Sequence, residues 1–160
     1  MPRPGEAGGS APSGEATALR PGGRTAEARR AFAEFFLALQ REDDAAVSAL
    51  LAPEVLIVRG NRRRRRGDLV SDLPRIFARL RLDLQPEGAV VDEAALRVFG
   101  VGEGGVELPA EATRPGDLIV TGPVRFRSSR PVREEPRKLV LRADGPRLLI
   151  VAVDRWSPVP

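Results

Sequence analysis

The sequence predicts a protein of the α+β class, with helices in its first half and most of its strands in its second. In the first half, apolar residues recur at helical spacing and form one stripe: Ala28, Phe32, Phe35, Phe36 and Leu39. In the second half, short apolar runs lie between turn signals, of which Asp144-Gly145-Pro146 is the clearest. Helices followed by strands are typical of α+β architecture.

The first 24 residues consist mainly of Gly, Pro, Ala, Ser and Glu, with few large apolar side chains. Such a segment buries too little surface to offset the entropy of ordering it. We therefore expect residues 1–24 to form a disordered, dispensable tail and residues 25–157 to form one domain. The tail lacks the apolar stretch of a secretory signal, which predicts a cytoplasmic protein. Thr25 is the expected N-cap of the first helix.

The rest of the first half predicts two more helices and a strand. Asp43 is expected to cap a short second helix, which Pro53 ends, and Val55–Val58 has the pattern of a buried strand. Arg59–Gly67 is expected to be a polar loop. Because Pro74 is tolerated only in a first turn, the third helix is expected to begin at Ser71 or Asp72.

The second half is strand-like. A strand bent at Gly122-Pro123 is expected over Leu118–Val120 and Val124–Arg127, and a hairpin over Leu139–Leu141 and Leu148–Val153. Two weaker candidate strands are Arg81–Gln85 and Ala94–Val101. Gly102–Pro115 predicts a long loop, and Trp156 is expected to close the ordered chain.

The chain has no histidine, no cysteine and no tyrosine. Histidine is the usual proton shuttle near neutral pH, and cysteine is the strongest nucleophile among the side chains. Acid–base chemistry is left to carboxylates, Lys138 and a few hydroxyls. We therefore expect no metal site, no cofactor and no disulfide. No apolar run approaches the roughly 18 residues that span a bilayer, so we expect no membrane insertion.

The order of elements resembles that of the nuclear transport factor 2-like superfamily. AEARRAFAEFFLALQREDDAAVSALLAPEVLIV is similar to its first two helices and first strand, and RGDLVSDLPRIFARL to its third helix. GDLIVTGPVRFRSS and RKLVLRADGPRLLIVAVDRW are similar to its closing strands. Over residues 25–156 the resemblance implies a cone: a curved antiparallel sheet, related to the cystatin-like fold, wrapped around a long N-terminal helix. The tryptophan of the family's usual Gly-x-Trp-Arg-Ile ending is replaced by Arg147.

The resemblance implies a pocket in the mouth of the cone, which serves enzymes and non-catalytic binders alike. The tyrosine of the isomerase branch and the histidines of the dehydratase branch do not exist here. We therefore expect a non-catalytic module that binds a small apolar ligand or another protein, with a homodimer formed through the open sheet face. A polyketide-cyclase-like enzyme that uses one buried carboxylate is the alternative.

Five consecutive arginines give the chain its sharpest local signal: Arg62, Arg63, Arg64, Arg65 and Arg66. Arginine forms bidentate contacts with phosphate, so the run is a candidate site for anions or nucleic acid, or for an acidic protein surface. No aromatic residues interleave with it to stack on bases. A solvated loop is the simpler interpretation, and a basic face continued by Arg75, Arg79 and Arg81 would favour nucleic acid. The pI of 11.0 adds little, because hardly any group titrates between the carboxylates and the arginines.

Other residues have a structural and a functional interpretation. The carboxylates that could face a pocket are Asp68, Asp72, Asp83, Asp92 and Asp154. Helix capping explains Asp68 and Asp72, and a surface ion pair or a dimer contact explains Asp154. Trp156 and the phenylalanines are expected in the core rather than in a ligand cavity. Gly100–Gly105 is glycine-rich but lacks the helix and the Lys-Ser/Thr of a phosphate loop, and predicts a turn.

Overall fold

The computed structural model describes residues 21–83, 91–126 and 133–156, so the predicted tail over residues 1–20 lies outside the described residues. Four α-helices are described: α1 (Thr25–Gln40), α2 (Asp44–Leu50), α3 (Arg66–Ser71) and α4 (Leu73–Asp83). Six strands are described: β1 (Leu51–Ile57), β2 (Arg62–Arg65), β3 (Arg97–Gly100), β4 (Leu118–Phe126), β5 (Arg133–Asp144) and β6 (Arg147–Val153). Short 3-10 turns cover Pro21–Arg24, Glu93–Ala95 and Ala110–Ala112.

The six strands form one curved, unclosed sheet in the order β2-β1-β6-β5-β4-β3. All neighbouring strands are antiparallel except β1 and β6, which are parallel, so the sheet is mixed rather than wholly antiparallel. The β5–β6 hairpin closes at Gly145-Pro146, where Gly145 has a φ of 59°. The α+β class and the sheet packed on a long N-terminal helix are as the resemblance implied.

One face of the sheet packs on the helices and forms the main core. The predicted members Phe32, Phe36, Leu39, Ile76 and Phe77 are all buried in it, together with Phe35. From the sheet, alternate residues such as Val120, Leu139 and Ile150 reach the same core, as the two-residue period of a strand requires. Burial of these side chains is the main source of stability for such a layer. The prediction of one shared core is confirmed.

Several element boundaries differ from the prediction. Thr25 is the first helical residue of α1, and the N-cap is Arg24. Pro53 does not end α2, which stops at Leu50; it lies inside β1, where the ladder with β6 is irregular between Leu51 and Leu56 because proline cannot donate to it. Asp43 caps α2 as predicted, accepting a hydrogen bond from the Ala46 N–H at 3.0 Å.

The strand predicted from Arg81 is also wrong, because α4 continues to Asp83; residues 84 and 85 lie outside the described residues. Pro74 does sit in the first turn of this helix, as its missing N–H requires. The candidate strand over Ala94–Val101 is shorter than predicted and covers Arg97–Gly100. β4 runs unbroken through Gly122, where the Leu96 side chain packs so closely that a Cβ would lie 2.4 Å from it.

Arg24 connects the N-terminal end of α1 to the sheet. Its guanidinium forms a bidentate pair with Glu27 at 2.8 and 3.0 Å and donates to the backbone carbonyl of Pro146 in the β5–β6 turn at 2.9 Å. The hydrogen bond from Arg24 lowers the pKa of Glu27 and raises that of Arg24. Part of the predicted tail therefore contributes contacts to the domain.

We predict that removal of residues 1–20 leaves the free energy of unfolding unchanged, whereas removal of residues 1–24 lowers it by about 1 kcal/mol, since it breaks the pair of Arg24 with the half-exposed Glu27 and the bond to Pro146. Urea denaturation of both truncations measures the difference, and Arg24→Ala in the full chain should reproduce the larger loss. Because the pKa of Glu27 is lowered, the ion pair contributes above its ordinary pKa of 4.5 and is lost as the pH falls through the lowered value. Equal stability of the two truncations at pH 7 would contradict the role of Arg24.

Candidate functional site

The arginine run is a strand rather than a loop. A tight turn with an Asn61 N–H to Val58 carbonyl bond of 3.0 Å reverses the chain, and Gly60 and Asn61 take the positive φ values of 89° and 49° that such a turn needs. The run then pairs antiparallel with β1, from Ile57 opposite Arg62 to Glu54 opposite Arg65. The predicted polar loop is therefore wrong over Arg62–Arg65, and Arg66 opens α3.

The strand distributes its arginines over both faces of the sheet. Arg64 lies on the helix side, where it pairs with Asp72 at 3.2 Å. Arg63 lies on the opposite side, 3.9 Å from Glu54, and donates to the Glu111 backbone carbonyl. Arg66 donates to the Leu51 carbonyl. The run thus forms no single basic patch.

The continuation of this surface along α4 is also interrupted. Asp72 binds both Arg64 and Arg75, with the Arg75 distance at 3.1 Å, so one carboxylate lies between the two cations. The side chains of Arg79 and Arg81 lie outside the described residues. A continuous basic face from the strand to α4, the feature that would favour nucleic acid, is therefore not found among the described side chains.

The carboxylates singled out from the sequence do not converge on one site. Asp68 is exposed on α3, Asp72 follows that helix, and Asp92 caps a 3-10 turn by accepting from the Ala94 N–H. Asp83 ends α4, and its side chain lies outside the described residues. The capping predicted for Asp68 and Asp72 is wrong, because the N-cap of α3 is Arg65 and the Asp72 carboxylate pairs with two arginines. Asp92 is the residue of this set that caps a turn.

Asp154 takes part in a buried ion pair that the sequence did not reveal. Its carboxylate accepts two bonds from Arg137 Nε and one from Nη2, at 2.9 to 3.1 Å, and Nη2 also donates to the Arg155 carbonyl at 2.6 Å. The Arg137 side chain is 1% exposed and that of Asp154 is 25% exposed. Asp154 does form an ion pair, but the predicted surface setting is wrong, because the partner is a buried arginine 17 residues away. The guanidinium of the neighbouring Arg155 pairs with Glu135.

Arg137 lies against the aromatic cluster of α1. Its guanidinium carbon is 4.9 Å from the Phe36 ring centre, and the Phe36, Phe35 and Trp156 rings follow one another at 5.0 and 6.1 Å. Stacking on an aromatic face is a typical environment for a buried guanidinium. Phe35 and Phe36 are therefore core residues, as predicted, and Trp156 is partly buried against the same core.

The opposite face of the sheet, here the outer face, is covered by part of the β3–β4 loop. Val106, Leu108 and Ala112 from this loop pack on a second apolar cluster of the sheet, formed by Ala52, Leu56, Ile119, Val140, Leu149, Val151 and Ala152. The loop starts with the predicted glycine turn, in which Gly104 has a φ of 69° and lies so close to Phe99 that a Cβ would sit 2.2 Å from the ring. Much of the face expected to be open is therefore buried within the chain.

A cavity of about 580 Å³ remains on this face beside the loop, and we call it the outer groove. Its apolar walls come from Ala52, Pro53, Ala110, Ala112, Ala143, Leu149 and Val151, and its polar rim from Glu54, Arg63, Glu111, Thr113, Arg114, Arg142 and Asp144. Three arginines and three carboxylates thus share the rim. Its size is that of ordinary small-molecule sites.

The β3–β4 loop is held at the groove by a second buried carboxylate. Asp117, 2% exposed, accepts two hydrogen bonds from Arg142 at 2.8 and 2.9 Å and one from the Arg114 backbone N–H at 2.8 Å. Because bidentate arginine–carboxylate pairs fix geometry, this network positions the Arg114 segment beside the sheet. Sequence reasoning missed the groove, Asp117 and Arg142; the only signal was alternation along β5, which places Arg142 on the same face as Val140.

In the described ranges, no three acidic, histidine or cysteine side chains are placed together to bind a metal ion. None of the described helices is long and apolar enough to cross a membrane.

No family model matches the chain. No curated protein matches it significantly. Among solved structures, it is similar to a designed nuclear transport factor 2-like protein, Rd1NTF2_05, with 16% sequence identity and a TM-score of 0.48. The alignment covers 79% of this chain and 95% of the designed protein.

Proposed function

We propose that the protein is a non-catalytic small-ligand-binding module whose binding site is the outer groove. The observation that carries the proposal is the combination of an apolar wall with charged groups of both signs around a cavity of about 580 Å³. Ligand sites of this size typically bury an apolar body and orient it through a few polar groups. The matching ligand class is a small zwitterion with an apolar body, such as a short peptide.

The charges on the rim that remain available support a zwitterion over a simple anion. Arg142 is engaged by Asp117, and Arg63 by Glu54 and the Glu111 carbonyl. Arg114, Glu111 and Asp144 are exposed, and their side chains form no hydrogen bond or ion pair within residues 21–83, 91–126 and 133–156. One cation and two carboxylates are therefore available, a set that suits a ligand with an ammonium as well as a carboxylate.

The alternatives drawn from the resemblance have less support. A polyketide-cyclase-like enzyme would need a buried carboxylate free to take a proton, whereas Asp117 and Asp154 are both engaged by arginines. A homodimer through the open sheet face would have to form around the loop that packs on that face. A small apolar ligand in the cone would compete with the phenylalanines that pack there.

The experiment is an NMR titration of the labelled protein with the dipeptide leucyl-leucine. We expect saturating shifts at Ala52, Leu149 and Val151, with a dissociation constant near 1 mM, as suits a ligand bound by few groups (about −4 kcal/mol). The same dipeptide with an acetylated N-terminus and an amidated C-terminus keeps the apolar body without the charges. It should bind at least about tenfold more weakly, since charge-assisted hydrogen bonds are lost.

Variants at the rim test the assignment of the charges. Arg114→Ser, Glu111→Gln and Asp144→Asn should each weaken leucyl-leucine binding by about two- to fivefold, the effect of one solvent-exposed charge contact. Arg41→Ser is the matched control, because Arg41 is an exposed arginine at the C-terminal end of α1 and does not line the outer groove. Equal binding of the capped dipeptide, shifts centred on Trp156 instead, or no saturation by about 20 mM would each overturn the proposal.

A further inference from the structure

We propose that the exposed edge of β2 is a docking site for an extended acidic peptide, which adds to the sheet as a seventh strand. β2 is the terminal strand of the sheet, and no described strand lies beyond it. Along a strand, backbone N–H and C=O groups point alternately to the two sides. Half of the four residues of β2 therefore direct these groups away from β1, and such an edge accepts another strand.

The side chains of this edge select the charge of the partner. Residues 59–66 contain six arginines and no acidic residue. The carboxylates bound to the strand are Glu54 and Asp72, and Asp72 is shared with Arg75. Arg62 and Arg65 are exposed and form no ion pair with any described residue. The edge therefore presents uncompensated positive charge.

The positions of the arginines also specify the sequence of the partner. Arg62 and Arg64 lie on one face of the strand, and Arg63 and Arg65 lie on the other. An added strand likewise alternates its side chains between the faces, so carboxylates would be needed at consecutive positions to meet both sets. The preferred partner is thus an uninterrupted run of about four acidic residues, which spans about 13 Å in an extended conformation.

This edge disfavours a second copy of the same chain. Pairing two β2 strands would place four arginines opposite four arginines, and like charges directly across a ladder are destabilising. Charged side chains on an edge strand are a known protection against such self-association. The arginine run thus excludes self-pairing and favours acidic strands.

The experiment measures binding of a fluorescent peptide, acetyl-Thr-Glu-Glu-Glu-Glu-Thr-amide, at low salt by anisotropy. Arg62→Ser/Arg65→Ser should weaken binding at least about tenfold, whereas the matched control Arg30→Ser/Arg41→Ser, two arginines of α1 and its C-cap, should change it less than about twofold. A peptide N-methylated at all four glutamates keeps every charge but has no glutamate N–H left to donate to the ladder from either of its edges. It should also bind at least about tenfold more weakly.

Each other outcome contradicts strand addition. Equal binding of the N-methylated peptide would mean that only charge is recognised. Equal or tighter binding of a single-stranded thymidine 12-mer, with the same dependence on Arg62 and Arg65, would assign the edge to nucleic acid. Absence of peptide binding at about 50 mM salt, where screening is weak, would mean that the arginines only prevent self-association of the edge and bind no acidic strand. Amide shifts of the labelled protein should be largest at Arg62–Arg65.

Discussion

Phe36→Ala is expected to lower the free energy of unfolding by about 3–5 kcal/mol, the range for truncation of a buried phenylalanine. Phe36 is fully buried, and its ring centre lies 4.9 Å from that of Phe32 and 5.0 Å from that of Phe35. The Arg137 guanidinium packs on the face of the same ring. The alanine would leave a cavity and also remove the face on which a buried cation rests. Urea denaturation followed by circular dichroism measures the loss.

Two variants separate packing from helix propensity. Phe36→Leu keeps most of the apolar volume and should cost less than about 2 kcal/mol. Arg30→Ala, at an exposed position of the same helix, should change the stability by less than about 0.5 kcal/mol. A loss below about 1 kcal/mol for Phe36→Ala would show that α1 is not packed on the sheet as described.

The first helix could be predicted from the sequence because its signal is local. Phe32, Phe35, Phe36 and Leu39 repeat at the helical period, and every one of them is buried. β2 could not be predicted in this way, because four consecutive arginines have no alternation of apolar and polar residues. Its conformation is set by a turn at Gly60-Asn61 and by the pairing with Val55–Ile57, which supplies the ladder. Tertiary context overrides propensity at such an edge.

The candidate sites depend on contacts that are distant in sequence. Arg142 meets Asp117 across 25 residues, and Arg63 meets the Glu111 carbonyl across 48. The sequence predicts that the segment covering the outer face is a loop, because it is rich in glycine and proline. It does not predict that the loop packs on the sheet, because Val106, Leu108 and Ala112 are too widely spaced to form a periodic pattern. Composition locates a loop but not the surface on which it lies.

Asp154→Ala is expected to lower the free energy of unfolding by about 2–4 kcal/mol. Removing one partner of a buried ion pair leaves an uncompensated charge, at a typical cost of about 3–5 kcal/mol. The cost here should lie toward the lower end, because Asp154 itself is 25% exposed while Arg137 is 1% exposed. The substitution also removes the acceptor of the Arg155 N–H, which lies 2.9 Å from the carboxylate. Urea denaturation at pH 7 provides the measurement.

Arg137→Met completes a double-mutant cycle with Asp154→Ala. It tests whether removing the buried guanidinium costs less stability than removing the more exposed carboxylate. Methionine fills the buried site without a charge, and the remaining Asp154 carboxylate can reach water, so we expect a smaller loss of about 1–2 kcal/mol. The double variant should be more stable than Asp154→Ala alone, since no buried charge is left without a partner, so the coupling should exceed the loss for Arg137→Met and reach about 2–3 kcal/mol. Losses that add within about 0.5 kcal/mol would show that Arg137 and Asp154 are not coupled. Because Arg137 rests on Phe36, the same cycle repeated in the Phe36→Leu background should give a similar coupling, as the carboxylate contacts remain in place.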